Sequence, residues 1–270
     1  MIRRIKRART RMPIAAGLYY FAHGADVFTR PPVLLIHGAG GNHLHWPPEL
    51  RRLPNERVLA VDLPGHGKSH GVGHHTIEDY ADAILAFLEA LKLNQAILVG
   101  HSMGGAVALQ AAMQAPKRVI GLVLLGSAAR LRVAPELLQT LSDPARTGAA
   151  VDRIMEHSFA PTTSPRLKEL ARQRLLEGRA SVLYGDFLAC EAFTPPLEQV
   201  ALVAAPTLIL FGEQDRMVRP AAGRLLRQQL ARARLETVPA AGHMLMLEQP
   251  DRTAELVSAF LREIPFQPGR

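Results

Sequence analysis

Ala96–Ile97–Leu98–Val99–Gly100–His101–Ser102–Met103–Gly104–Gly105 sets a short apolar run directly against the pattern Gly-x-Ser-x-Gly, and alanine-rich sequence follows from Ala106. Four apolar residues ending at a glycine are the pattern of a buried parallel strand. The continuation, with Val107, Leu109 and Gln110 among alanines, predicts a helix. Ser102 then falls on a sharp strand-to-helix turn with its hydroxyl raised above the sheet edge. Gly100 and Gly104 lack the side chains that would hold strand and helix apart there. The first helical N–H groups, Met103 among them, would face negative charge developing beside Ser102. This is the expected geometry of a nucleophile elbow. It asks the rest of the chain for a base, an acid and a second donor to an oxyanion.

Composition bounds the search. The 270 residues are 48% hydrophobic, with mean hydropathy near zero, enough apolar material for one α/β domain with an insertion. The single cysteine, Cys190, leaves no intrachain disulfide, reads as a small core residue, and favours a reducing, cytoplasmic setting. A net charge of +8 raises nucleic acid or an anionic surface as partners. The distribution argues against them. Six basic residues crowd positions 3–11, the other arginines are scattered along amphipathic segments, and aromatics make up only 5%, too few for a base-stacking platform. Residues 2–22 loosely mimic a signal peptide, but Pro13 and Gly17 break the apolar run, so 18–22 reads as an edge strand. No apolar run approaches the roughly 20 residues of a membrane span.

Outward from the elbow, strands alternate with helices. Val33–Ile36 predicts a buried strand ending at His37-Gly38-Ala39-Gly40-Gly41. Small residues after a strand leave backbone N–H groups free to face a substrate oxygen, and Ala39 is the candidate for the second donor. His43 and His45, two apart and without a carboxylate nearby, make a weak metal pattern, and no metal site is expected. Trp46, the only tryptophan, either lines the pocket mouth or packs a helix. Val58–Val61 predicts the next strand. Asp62, before Leu63-Pro64-Gly65, reads as a turn former bonding nearby N–H groups rather than as a catalytic acid. The tip with His66, His70, His74 and His75 reads as an exposed loop. Thr76-Ile-Glu-Asp79 resembles a capping box, and helical spacing of apolar residues from Ile77 to Leu91 lays the following helix on the sheet. Residues 121–126 predict a further strand. The alternation implies a parallel sheet with helices on both faces.

The alternation stops after Ser127. From 134 to about 200 only helix-like segments occur (135–141, 151–159, 167–178, 181–193), separated by proline-rich turns. A strandless stretch between two strands of one sheet must fold outside it. Residues 129–200 are therefore expected to form a helical cap over the active-site face, with 1–128 and 201–270 as the core. Glu156, His157, Tyr184 and Cys190 lie within that cap. Strands resume at 206–212 and 234–238, and a final helix runs over 253–261.

Five motifs at strand ends, in order, resemble those of the α/β-hydrolase superfamily. They are His37-Gly38, Asp62-Leu-Pro-Gly-His-Gly, Gly-His-Ser102-Met-Gly-Gly, Gly212-Glu-Gln-Asp215, and Gly242-His243 followed by Glu-Gln-Pro. The resemblance covers essentially the whole chain and implies that fold. It also implies a triad in the chain order Ser102, Asp215, His243. His243 would take and return the serine proton, and Asp215 would fix its tautomer, with Glu213 the rival acid. Ser127-Ala128-Ala129 offers no carboxylate after the preceding strand, where some relatives carry the acid. Ala39 and Met103 N–H groups would hold the oxyanion. Gly38, Trp46 and Met244 are the substrate-contact candidates. A serine elbow resembles the esterase, lipase, lactonase and carbon–carbon-hydrolase branches rather than the aspartate-bearing dehalogenases and epoxide hydrolases. Met244 stands where carbon–carbon hydrolases often have tryptophan. Ala39 replaces an aromatic usual in the cofactor-free haloperoxidases, whose perhydrolysis uses the same triad. The expected activity is cleavage of a small carboxylic ester, without cofactor, through an acyl-enzyme. A ligand-binding signalling relative with little turnover is the alternative from another class.

Overall fold

In a computed structural model, which describes residues 13–24 and 30–265, the apolar runs pair into one eight-stranded sheet. Its strands are β1 (Ile14–Ala15), β2 (Leu18–His23), β3 (Val33–Ile36), β4 (Val58–Val61), β5 (Ala96–His101), β6 (Val119–Leu125), β7 (Thr207–Gly212) and β8 (Ala233–Val238). Their spatial order is β1-β2-β4-β3-β5-β6-β7-β8. From β4 across to β8 every pairing is parallel, and only β1 and β2 run antiparallel, at one edge. The expected edge strand is thus β2, with the two-residue β1 outside it. The basic run at 3–11 lies outside the described residues.

The helices are α1 (Pro48–Arg51), α2 (Ile77–Ala90), α3 (Met103–Gln114), α4 (Pro135–Leu141), α5 (Thr147–Ser158), α6 (Pro165–Leu176), α7 (Ala180–Ala192), α8 (Leu197–Ala201), α9 (Pro220–Gln229), α10 (Leu245–Glu248) and α11 (Pro250–Glu263). Strand periodicity divides the central strands between two cores. Leu34, Ile36, Leu98, Leu122 and Leu124 face α2, α3 and α9, where Tyr80, Phe87, Val107 and Leu226 meet them. Val33, Leu35, Ile97, Val99, Val123 and Leu125 face α1 and α11, where Leu50, Val257 and Phe260 close the other side. Both faces being covered explains why these strands read as continuous apolar runs rather than alternating ones. At the start of α2 the Thr76 hydroxyl accepts from the Asp79 N–H (3.2 Å), as the capping pattern predicts.

Helices α4 to α7, inserted between β6 and β7, bury an apolar cluster of their own that includes Leu137, Leu141, Val151, Ile154, Leu175, Leu183 and Phe187. Among the described residues no helix is long and apolar enough to cross a membrane.

Candidate active site

Ser102 sits between β5 and α3 with φ 53° and ψ −119°, a left-handed conformation that a non-glycine residue adopts only under constraint. The glycines supply that constraint. A Cβ on Gly100 would collide with the Gly104 carbonyl, and one on Gly104 with the Ile36 and His37 carbonyls. Strand β5, helix α3 and the end of β3 are therefore packed backbone to backbone around the serine.

Asp215 and His243 come from the turns after β7 and β8. The Asp215 Oδ1 accepts from the Met217 and Val218 N–H groups (2.9 Å each), which leaves Oδ2 facing the His243 Nδ1 at 2.8 Å. With Nδ1–H donating to the carboxylate, Nε2 keeps its lone pair, the tautomer a general base needs. Both side chains are buried, and His243 lines the same cavity as Ser102. Glu213, the rival acid, is exposed. The loop carrying His243 is fixed by Glu248, whose role the sequence did not disclose. Its carboxylate accepts from the Gly242 N–H (2.9 Å), the Ala160 N–H (2.8 Å) and the Thr163 hydroxyl. The His101 Nε2 lies 3.0 Å from the His243 carbonyl and donates to it.

After β3, the His37 Nδ1 bonds the Gly38 carbonyl (2.8 Å) while its Nε2 accepts from the Leu63 N–H (3.0 Å). That pairing fits a neutral ring and shapes the loop. Gly38, Ala39, Ser102 and His243 all border one cavity of about 80 Å³. The Met103 N–H is at the first turn of α3, where no intrahelical acceptor exists. Asp62, as expected, organises a turn: Oδ1 accepts from the His43 N–H (2.6 Å) and Oδ2 from the Lys68 N–H (2.9 Å).

The inserted stretch supplies half of the cavity wall, Ile154, Phe159, Leu175, Phe187 and Cys190 among it, and Met217 and Met244 line the core side. Gly38 and Met244 border this cavity. Trp46 does not, and takes the second of its two expected places, packed in the core. It is fully buried in the apolar cluster on the α1 and α11 face of the sheet, and the 3₁₀ turn His43–His45 orients the chain so that His45, one residue earlier, borders the cavity instead. Burial, with the nearby Arg174 charge, lowers the His45 pKa from 6.5 to about 4. Burial and the neighbouring His243 likewise hold His101 well below its ordinary value. Cys190 is buried as expected but also faces this cavity, and burial followed by the Asp186 charge pushes its thiol pKa far up, so it stays protonated and unreactive.

A family model described as the alpha/beta hydrolase family matches residues 33–256. The chain belongs to that family. The hydrolase is 31% identical to a 2-hydroxymuconate semialdehyde hydrolase of Pseudomonas sp., over 93% of both chains. It is also 31% identical to a pimeloyl-[acyl-carrier protein] methyl ester esterase of Pectobacterium carotovorum, over 91% of this chain and 98% of that one. Among solved structures it resembles an enol-lactonase from Burkholderia xenovorans, with a TM-score of 0.83 and 26% identity, over 91% of this chain and 96% of that one.

In the hydrolase, one carboxylate of the inserted helices is driven into the core. Asp186 of α7 is fully buried, and its Oδ2 accepts from the Gly40 N–H (2.7 Å) and faces the His66 Nε2 (2.8 Å). Its Oδ1 accepts from the Tyr80 hydroxyl (2.6 Å). The expectation of an exposed histidine tip is thereby corrected at His66. His70 and His75 are exposed, but His66 is turned inward by the Asp186 carboxylate. Both its ring nitrogens face acceptors, Nδ1 the Pro64 carbonyl (3.0 Å) and Nε2 Asp186, so only the imidazolium satisfies both. Burial alone would lower its pKa, but the Asp186 charge and hydrogen bond outweigh burial and raise it above 6.5. For His37, burial and then the His66 charge lower it.

These opposite shifts predict a stability maximum near neutral pH. His37, His45 and His101 are held neutral, so their contribution is present above 6.5 and lost as pH falls below it. His66 is held charged, so its contribution is present below 6.5 and lost as pH rises through its raised folded value. Thermal melts across pH 4 to 9 are expected to fall on both sides of neutrality. A melting temperature rising steadily from neutral to pH 9 would contradict the charged assignment of His66.

Proposed function

We propose that this hydrolase cleaves a small carboxylic ester, without cofactor, through an acyl-enzyme on Ser102. The observation that carries the reading is the Asp215–His243 contact of 2.8 Å, beside a serine held in a left-handed turn at the same apolar cavity. His243 accepts the Ser102 proton as the hydroxyl attacks the ester carbonyl. The resulting oxyanion lies between the Ala39 and Met103 N–H groups, each donor worth about 10²–10³ in rate. The imidazolium, steadied by Asp215, then protonates the leaving alcohol. Water repeats the sequence on the acyl-enzyme, and the carboxylic acid departs. In this reading residues 129–200 are the cap that keeps bulk water from the cavity, and the single cysteine suits a cytoplasmic enzyme. The partner is a small-molecule substrate.

Carbon–carbon cleavage by the same triad is the second reading, favoured by the likeness to a 2-hydroxymuconate semialdehyde hydrolase. Met244, where tryptophan is frequent in that branch, favours the ester. The test is turnover of p-nitrophenyl esters from acetate to dodecanoate, beside a 2-hydroxy-6-oxo-dienoate. A cavity of about 80 Å³ holds a short acyl chain, so kcat/KM is expected to peak at six carbons or fewer. One equivalent of a fluorophosphonate should label Ser102 and end turnover. Rapid consumption of the dienoate with no ester turnover would reverse the choice. Labelling without turnover of either substrate class would point to a ligand-binding protein.

A further inference from the structure

A second cavity of about 200 Å³ adjoins the first and shares Ile154, Phe187 and Met217 with it. Its chemistry is different. Arg132 after β6, Arg153 on α5 and Arg216 after β7 all line it, together with His157, and no aspartate or glutamate does. None of the three arginines forms an ion pair with a carboxylate among the described residues. Arg216 is anchored by donating to the Glu156 carbonyl across the junction between the inserted helices and the core. Arginines 130 and 219, with Arg132 and Arg216, also line the adjoining groove. Three exposed arginines from three separate elements border a hollow that no carboxylate lines, an arrangement that favours an anion there. Each guanidinium offers a fork of donors that matches carboxylate or phosphate.

From this arrangement we infer that the ester substrate of this hydrolase carries an anionic group, a carboxylate or phosphate, beyond a short apolar spacer. The ester lies at Ser102, the spacer runs past Ile154, Phe187 and Met217, and the anion is held by Arg132, Arg153 and Arg216. The inference rests on the ester-hydrolase reading and narrows its substrate class. It places specificity in charge at the far end of the substrate, whereas the cavity beside Ser102 selects only for apolar shape.

The experiment pairs substrates of equal length. Mono-p-nitrophenyl adipate is compared with p-nitrophenyl hexanoate, and 6-acetoxyhexanoate with hexyl acetate, so that the charge lies on the acyl or the alcohol side; an ω-phosphate analogue of each separates phosphate from carboxylate. At least one anionic ester is expected to exceed its neutral partner about tenfold in kcat/KM. Arg132→Gln and Arg153→Gln should each remove most of that preference and leave the neutral esters unchanged, and high salt should reduce it by screening. Binding of the intact pairs to Ser102→Ala, followed by calorimetry, reads the same preference without turnover. Equal binding and equal kcat/KM for charged and neutral partners would overturn the inference while leaving ester hydrolysis intact. Anion-selective binding without cleavage of any ester would support the subsite and sink the parent reading.

Discussion

Ser102→Ala is expected to lower kcat on a short p-nitrophenyl ester by about 10⁶, and His243→Ala by a similar factor. The double variant should be hardly slower than either single one. A serine without its base and a base without its serine are equally unable to open the acyl-enzyme route, so the two losses do not add. What remains, about 10³–10⁴ above water, comes from the oxyanion donors and binding, which neither substitution touches. Asp215→Asn probes a different point. An asparagine can still meet the Met217 and Val218 N–H groups through its oxygen, so the turn after β7 should persist. Its amide would face the His243 Nδ1 with a donor, however, and favour the wrong tautomer, at a cost of about 10⁴ in kcat. The measurement is single-turnover kinetics on folded protein, checked by circular dichroism. Full activity in Asp215→Asn, or losses that multiply in the double variant, would sink the triad assignment.

Asp186→Ala should have the largest effect on stability. It removes the one carboxylate that accepts from Gly40, His66 and Tyr80 at once, and leaves the His66 imidazolium buried without an anion. Breaking a buried charge pair from one side costs about 3–5 kcal/mol. Urea denaturation at pH 6 should show a loss of that order. The gap between wild type and variant should narrow as pH rises through the raised wild-type His66 value, because the pair then no longer contributes in either protein. Activity offers an independent reading. The Gly40 N–H follows directly on Ala39, so loosening it should lower kcat more than it raises KM, even in the folded fraction. A loss below about 1 kcal/mol that is flat across pH would show that the contact is incidental.

The parts of this molecule legible in the sequence are those in which chemistry is written locally. Ser102 is framed by glycines at fixed offsets, β3 and β4 are short apolar runs between turn residues, and Thr76 caps α2 three residues from Asp79. The role of Asp186 could not be read that way, because its partners lie 106 to 146 residues away and it sits in a helix with apolar neighbours. The inward turn of His66 is illegible for the same reason. A histidine among glycines in a polar loop signals exposure, and only a carboxylate arriving from the inserted helices turns it inward. Trp46 and His45 differ by one residue, and a single 3₁₀ turn decides which meets the cavity and which the core. Glu248 was visible as part of a motif, but its three donors come from two separate loops, and no spacing rule brings them together.

The interruption of the sheet between β6 and β7 also sets the order in which this protein can come alive. During synthesis the elbow and its neighbours β3, β4, β5 and β6 leave the ribosome first and can pair among themselves. The strands whose ends carry Asp215 and His243 follow only after the whole helical insertion has been made, and β7 must reach back across it to find β6. Such non-local pairing is slow, because the intervening chain must be ordered before the contact rewards it. A nascent or truncated chain that ends before β7 therefore carries Ser102 without Asp215 or His243 beside it.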